Sequence, residues 1–137
     1  MHTVRRHVCV LVTLLVTGLL LGGCATTADR MDRLDRTLKG YEKALRWGKF
    51  DAAYSFHKWG EDEQPSIPAH LKEVRITRYE VASRRLDQET LTARQTVVIR
   101  YYDTNTATER ELTDRQRWKY FEDSKRWYLM SEPPEFR

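Results

Sequence analysis

With 137 residues the chain has room for one small domain. Its 24 basic and 20 acidic residues leave a net charge of +4, too small a surplus to mark a nucleic-acid binder. Both cysteines, Cys9 and Cys24, lie near the start, which excludes a disulfide framework, a zinc–cysteine site and a cysteine nucleophile from the rest of the chain.

The chain opens on a basic stretch, "MHTVRRH", followed by an apolar block, Val8–Leu21, and then small residues. That order is the signature of a secretory signal. The apolar block, about 14 residues, falls short of the roughly 20 that span a bilayer. Arg5 and Arg6 read as an ordinary n-region, because their surroundings do not continue a twin-arginine motif. Leu21-Gly22-Gly23-Cys24 resembles the lipobox of bacterial lipoproteins: an aliphatic residue, two small ones, then cysteine. The resemblance implies cleavage between Gly23 and Cys24, a diacylated thiol and an acylated new amino group. Three acyl chains, at ~0.8 kcal/mol per buried methylene, make a stable anchor where one chain is marginal. Ala25 follows the cysteine where Asp would retain such a protein at the inner membrane, so the resemblance implies the outer membrane, periplasmic side. Cleavage also removes two basic residues and no acidic one, which brings the mature charge close to balance.

The resulting plan is a signal peptide over 1–23, an acylated cysteine and tether over 24–28, and a folded domain over 29–137. Thr26 and Asp29 have capping-box spacing. Met31, Leu34, Leu38, Tyr41 and Leu45 then recur every three or four residues, and acid-before-base pairs such as Asp29–Arg33 and Glu42–Arg46 line the other faces. These patterns predict a helix over 28–47 that packs on its own domain, since it offers too few heptads for a sustained coiled coil. Gly48 ends it. "KFDAAYSFHKW" predicts a second short helix to about Trp59, with Phe50, Ala53, Tyr54 and His57 on one face. The junction has some likeness to a tetratricopeptide unit, but no second copy follows to stack on it. "GEDEQPSIP" reads as a loop and "AHLK" as one helical turn.

From Glu73 the period changes to two. "EVRITRYEVASRRL", "LTARQTVVIRYYD", "ERELTDRQRWKYF" and "RWYLMSE" read as four strands separated by Asp87-Gln88, "DTNTAT" and "EDSK". Val97, Ile99 and Tyr101 share one face of the second strand, and Leu112, Trp118 and Tyr120 one face of the third. In the first strand Val74 and Ile76 fall out of phase with Tyr79 and Val81, which a bulge near Thr77-Arg78 reconciles. Short connections imply an α+β domain, with helices on one face of an antiparallel four-stranded sheet. The helix junction "ALRWGKFDAAYSF" and the closing hairpin, with Trp118, Trp127 and "SEPPEF", resemble the NTF2-like superfamily, which includes ketosteroid isomerase and SnoaL-like proteins. The resemblance implies a cone-shaped fold over about 28–137, with the family's third helix reduced to the stretch from Gln64 to Lys72.

Enzymes of that superfamily use acids and bases inside the cone, but no catalytic residue carries over here. On the residues alone, Gln95, Asp114 and Gln116 share the apolar face of the second and third strands. A carboxylate there has a raised pKa and can act as a base; the alternative is a protruding, wet end of the sheet. His57 and His70 lack metal-ligand spacing, and neither a metal nor a cofactor is expected. On the opposite face Arg94, Arg100, Arg115, Arg117 and Lys119 form a patch suited to lipid phosphates or an acidic partner, or to plain solvation. Trp47, Trp59, Trp118 and Trp127 read as core. Three functions stay open: an accessory lipoprotein that binds an envelope protein, a binder of a small apolar or lipid ligand in the cone, and an isomerase- or hydratase-like enzyme.

Overall fold

The computed structural model describes residues 26–60, 63 and 65–137. The cleavage and lipidation positions, Gly23 and Cys24, lie outside the described residues. No helix among the described residues is long and apolar enough to cross a membrane. The chain divides into two compact units after Asp35. In the first, residues 26–35 are helical, and Arg33 donates to Asp29 at 2.8 Å. The second, Arg36–Arg137, begins with helical residues to 46, so that helix α1 covers 26–46. Leu38, Tyr41, Ala44 and Leu45 bury one stripe of its second-unit portion, as their three-and-four spacing predicts. The helix ends in a Schellman motif: Gly48 N–H donates to Leu45 O at 3.0 Å and Lys49 N–H to Ala44 O at 2.9 Å, with Gly48 at φ +64°.

Helix α2, Phe50–Tyr54, buries Phe50 and Ala53. It stops short of the expected Trp59 because the next backbone groups go elsewhere. Leu129 N–H donates to Phe56 O at 2.8 Å and Lys58 N–H to Leu129 O at 3.0 Å, which makes a parallel bridge at His57. Residues 56–58 thereby cover the outer edge of the sheet, where open backbone groups would invite strand addition. A 3₁₀ turn, Ala69–Glu73, leads into the sheet.

The sheet comprises β1 (Val74–Asp87), β2 (Thr92–Asp103), β3 (Glu109–Phe121) and β4 (Arg126–Leu129), all antiparallel neighbours in sequence order. It is curved and not closed, with the helices of this unit on one face. The expected bulge appears between Ile76 and Arg78, and a second, unanticipated one between Val81 and Ser83. Each flips the alternation of β1, so Tyr79 and Val81, and then Arg84 and Leu86, pair with the inward residues of β2.

Trp118 lies at the centre of the core, fully buried, with the rings of Tyr41 and Phe56 edge-on to it at 5.4 and 6.5 Å. The C-terminal tail returns across the far end of β2. Phe136 packs between Phe50 and Tyr101 at 5.7 and 5.0 Å, the Tyr101 hydroxyl donates to Arg137 O at 3.1 Å, and His70 Nε2 bonds Phe136 O at 2.8 Å. The assignment of all four tryptophans to the core requires correction. Trp118 and Trp127 are buried and Trp59 is half-buried, whereas Trp47, on the turn that ends α1, is 74% exposed.

Candidate functional site

The strand register places two different groups of polar residues on the two faces of one sheet. On the helix side, β2 pairs Gln95 with Gln116 of β3 and with Arg84 of β1, and Val97 pairs with Asp114. All three anticipated residues are inside: Gln95 is 3%, Asp114 6% and Gln116 2% exposed. The expectation of a wet, protruding sheet end therefore fails, because α1 lays Tyr41 against this part of the sheet.

Burial forces these groups to satisfy one another. Gln116 Nε2 donates to Asp114 Oδ2 at 2.7 Å and to the Tyr79 hydroxyl at 3.0 Å, and Gln95 Nε2 donates to Gln116 Oε1 at 3.2 Å. Trp118 Nε1 donates to the same Gln116 oxygen at 3.1 Å, while Arg84 Nε donates to Gln95 Oε1 at 2.8 Å. Burial pushes the Asp114 carboxyl up to about 6, against a smaller downward pull from the Gln116 amide. Burial, reinforced by the nearby Asp114 charge, also holds Tyr41 and Tyr79 well above the usual tyrosine range, so both phenols stay protonated. The Tyr41 hydroxyl is buried with no partner among the described residues. The arrangement is a carboxyl of near-neutral pKa in a dry, tyrosine-lined setting.

His57 is buried, its Nδ1 facing Ser131 O at 3.1 Å, and desolvation lowers its pKa. No three potential metal ligands converge among the described residues.

On the helix-free face the register builds a row of arginines. Arg85 of β1 pairs with Arg94 of β2, which pairs in turn with Arg117 of β3. With strands about 4.8 Å apart, three guanidinium stems span about 10 Å. The neighbouring row adds Ser83, Thr96 and Arg115. These six residues line a cleft of about 440 Å³. None of Arg85, Arg94, Arg115 and Arg117 forms an ion pair among the described residues. Asp87, at the end of β1, is engaged in its own turn; its carboxyl is lowered first by hydrogen bonds from Thr90 and only last by Arg94.

The anticipated patch is thus redrawn. Arg94, Arg115 and Arg117 come together. Arg100 lies further along β2 and is neutralised by Glu111 at 2.9 Å, and Lys119 rests over the Phe121 ring at 5.7 Å. Arg85 joins the row, and sequence reasoning missed it because the bulge at Val81/Ser83 sets its face. Tyr79 and Tyr41 were missed as members of the buried network, since neither strand nor helix spacing shows that they meet. The signal for Arg85 was the Arg84-Arg85 pair itself, one member of which must point outward on any strand.

No protein-family model, curated protein or solved structure matches this chain. Four guanidiniums with no ion pair among the described residues, and two hydroxyls, in one shallow cleft suit carboxylate or phosphate oxygens, which Arg engages in bidentate fashion.

Proposed function

We propose that the protein is an envelope lipoprotein, held at the periplasmic side of the outer membrane by acyl chains on Cys24, whose domain is an accessory binding module for an acidic partner protein. The observation that carries the binding role is the Arg85–Arg94–Arg117 row. Like charges directly opposite on a sheet destabilise it, so an alignment of three with no acid interleaved suits an anionic surface docking there. The broad, helix-free face, with Arg115 beside the row, fits a protein surface rich in carboxylates.

The NTF2-like reading is the finer form of the α+β fold. It is supported by two helices ahead of a curved antiparallel sheet, and the family's third helix would correspond to the 3₁₀ turn Ala69–Glu73.

A photoreactive residue in place of Thr113, exposed on the arginine face of β3, tests the binding role in cells. A discrete protein adduct is expected, lost when Arg85, Arg94 and Arg117 are all changed to Gln. An adduct indifferent to that triple change, or none, would sink the reading. Cys24→Ser tests the anchor: palmitate incorporation and membrane retention should disappear, and normal labelling of the variant would end the lipobox reading.

A second reading, proton transfer by Asp114, is favoured by the burial and raised pKa of that carboxyl. It requires a substrate beside Asp114, in space that Tyr41 and Trp118 now fill. A small ligand ordered between α1 and β3 in a crystal would turn the choice towards it.

A further inference from the structure

The turn that ends α1 presents a fully formed hydrophobic contact to solvent. Trp47 is 74% exposed and overhangs a groove of about 450 Å³ floored by Gly40, Ala44, Ala52 and Phe56, with Lys43 and Lys49 at its rim. Sequence and packing build this feature together. Gly40 lets Phe56 lie against the helix, since a Cβ there would meet Phe56 Cζ at 3.1 Å. The Schellman turn at Gly48 then projects Trp47 and Lys49 outward. Arg46, the residue before Trp47, adds a third cation; its partner Glu42, at 3.6 Å, is the one acid paired with these cations among the described residues, and Asp51 on α2 is exposed.

We propose that the Trp47 turn is a second membrane contact, which inserts its indole into the headgroup region of an anionic bilayer while Lys43, Arg46 and Lys49 meet lipid phosphates. Indole prefers the membrane interface because it joins a large apolar ring to an N–H donor. Basic residues near an anionic leaflet add attraction that falls off within a Debye length. A single protruding ring above a shallow groove fits a fluid interface, which needs no shaped counterpart. It is far smaller than the roughly 800 Å² per partner of a stable protein interface.

The inference takes its membrane from the Cys24 anchor proposed above, and tethering is what makes so small a contact effective, because the insertion becomes intramolecular. The groove belongs to the helical layer of this unit and the arginine row to the opposite face of its sheet. A bilayer at Trp47 therefore leaves the cleft free for its partner.

The test uses the full-length protein as processed by bacterial cells, purified in detergent and reconstituted into phosphatidylcholine/phosphatidylglycerol vesicles with bromines at shallow acyl positions. Tryptophan fluorescence should be quenched by the brominated lipid, and the quenched fraction should vanish in Trp47→Phe. It should shrink at least twofold in Lys43→Gln/Lys49→Gln or in vesicles of phosphatidylcholine alone. Equal quenching of wild type and Trp47→Phe, or none in vesicle-bound protein, overturns the proposal. Crosslinking of position 47 to a protein with no lipid quenching overturns it too. Intact mass of the same preparation reads the anchor separately. An acylated, vesicle-bound protein without Trp47-dependent quenching defeats this inference alone. An unacylated protein that still shows Trp47-dependent quenching at high lipid supports it and defeats the anchor.

Discussion

Arg94 and Arg117 face each other across the β2–β3 ladder, and neither forms an ion pair among the described residues. Arg85 extends the row on β1. Such a juxtaposition opposes folding and favours binding of an anion. It predicts that Arg94→Thr or Arg117→Thr raises stability by about 0.2–1 kcal/mol, read as a higher urea midpoint with unchanged slope. The gain should shrink as salt screens the repulsion, and partner capture should fall in the same variants. A loss of stability would show that the arginines serve the fold.

Asp114 makes stability pH-dependent in a direction opposite to most carboxylates. Its pKa rises from 3.8 to about 6 on folding. Between those values the native state holds a proton that the unfolded chain has lost, so stability falls as pH rises through the window. The penalty is absent below the lower value and fully developed above the upper one, at about 2–3 kcal/mol as an upper bound. Asp114→Asn, which keeps an acceptor for Gln116, should remove this slope. Urea titrations of both proteins between pH 3.5 and 7.5 should converge at the acid end and diverge at the neutral end. Parallel curves would mean that the carboxyl is solvated.

The Tyr41 hydroxyl, buried and without a partner among the described residues, gives a complementary expectation. Tyr41→Phe should be neutral or stabilising by up to about 1 kcal/mol, because an unsatisfied polar group is removed from the interior. Tyr41→Ala should cost about 3–5 kcal/mol, because the ring packs against Trp118, Phe56 and His57. Thermal unfolding of the pair separates the ring from the oxygen. A destabilised Phe variant would reveal a hydrogen bond made through solvent.

Gly48 at φ +64° has open space where a Cβ would go. Gly48→Ala should therefore cost about 1–2 kcal/mol from backbone strain alone, with no packing contribution. The same change should disturb Trp47-dependent lipid quenching, because Gly48 aims that side chain. An unaltered melting temperature would indicate that the turn readily adopts another conformation.

Most of the fold was legible in residue spacing. The three-and-four stripe of Leu38, Tyr41 and Leu45 and the alternation of Val97, Ile99 and Tyr101 identified what each element buries. Gly48, "DTNTAT" and "EDSK" marked the breaks, because only certain residues tolerate those turns. The end of α2 was not legible, since residues 56–58 gave up helical hydrogen bonds for the edge of β4, a partner more than seventy residues away in the chain.

Local chemistry by itself determined the lipobox resemblance, the α+β order of elements and the two-faced character of β2 and β3. These depend on neighbours in the chain, which periodicity reports directly. Only the tertiary structure decided which arginines align, that Asp114 is dry, and that Trp47 is bare. A bulge at Val81/Ser83 turns Arg85 outward, the packing of Tyr41 on Trp118 closes off the polar cluster, and a helix-ending turn lifts one indole off the core. Each outcome depends on register and on what packs above a residue, quantities set by the whole sheet and carried by no single stretch of sequence.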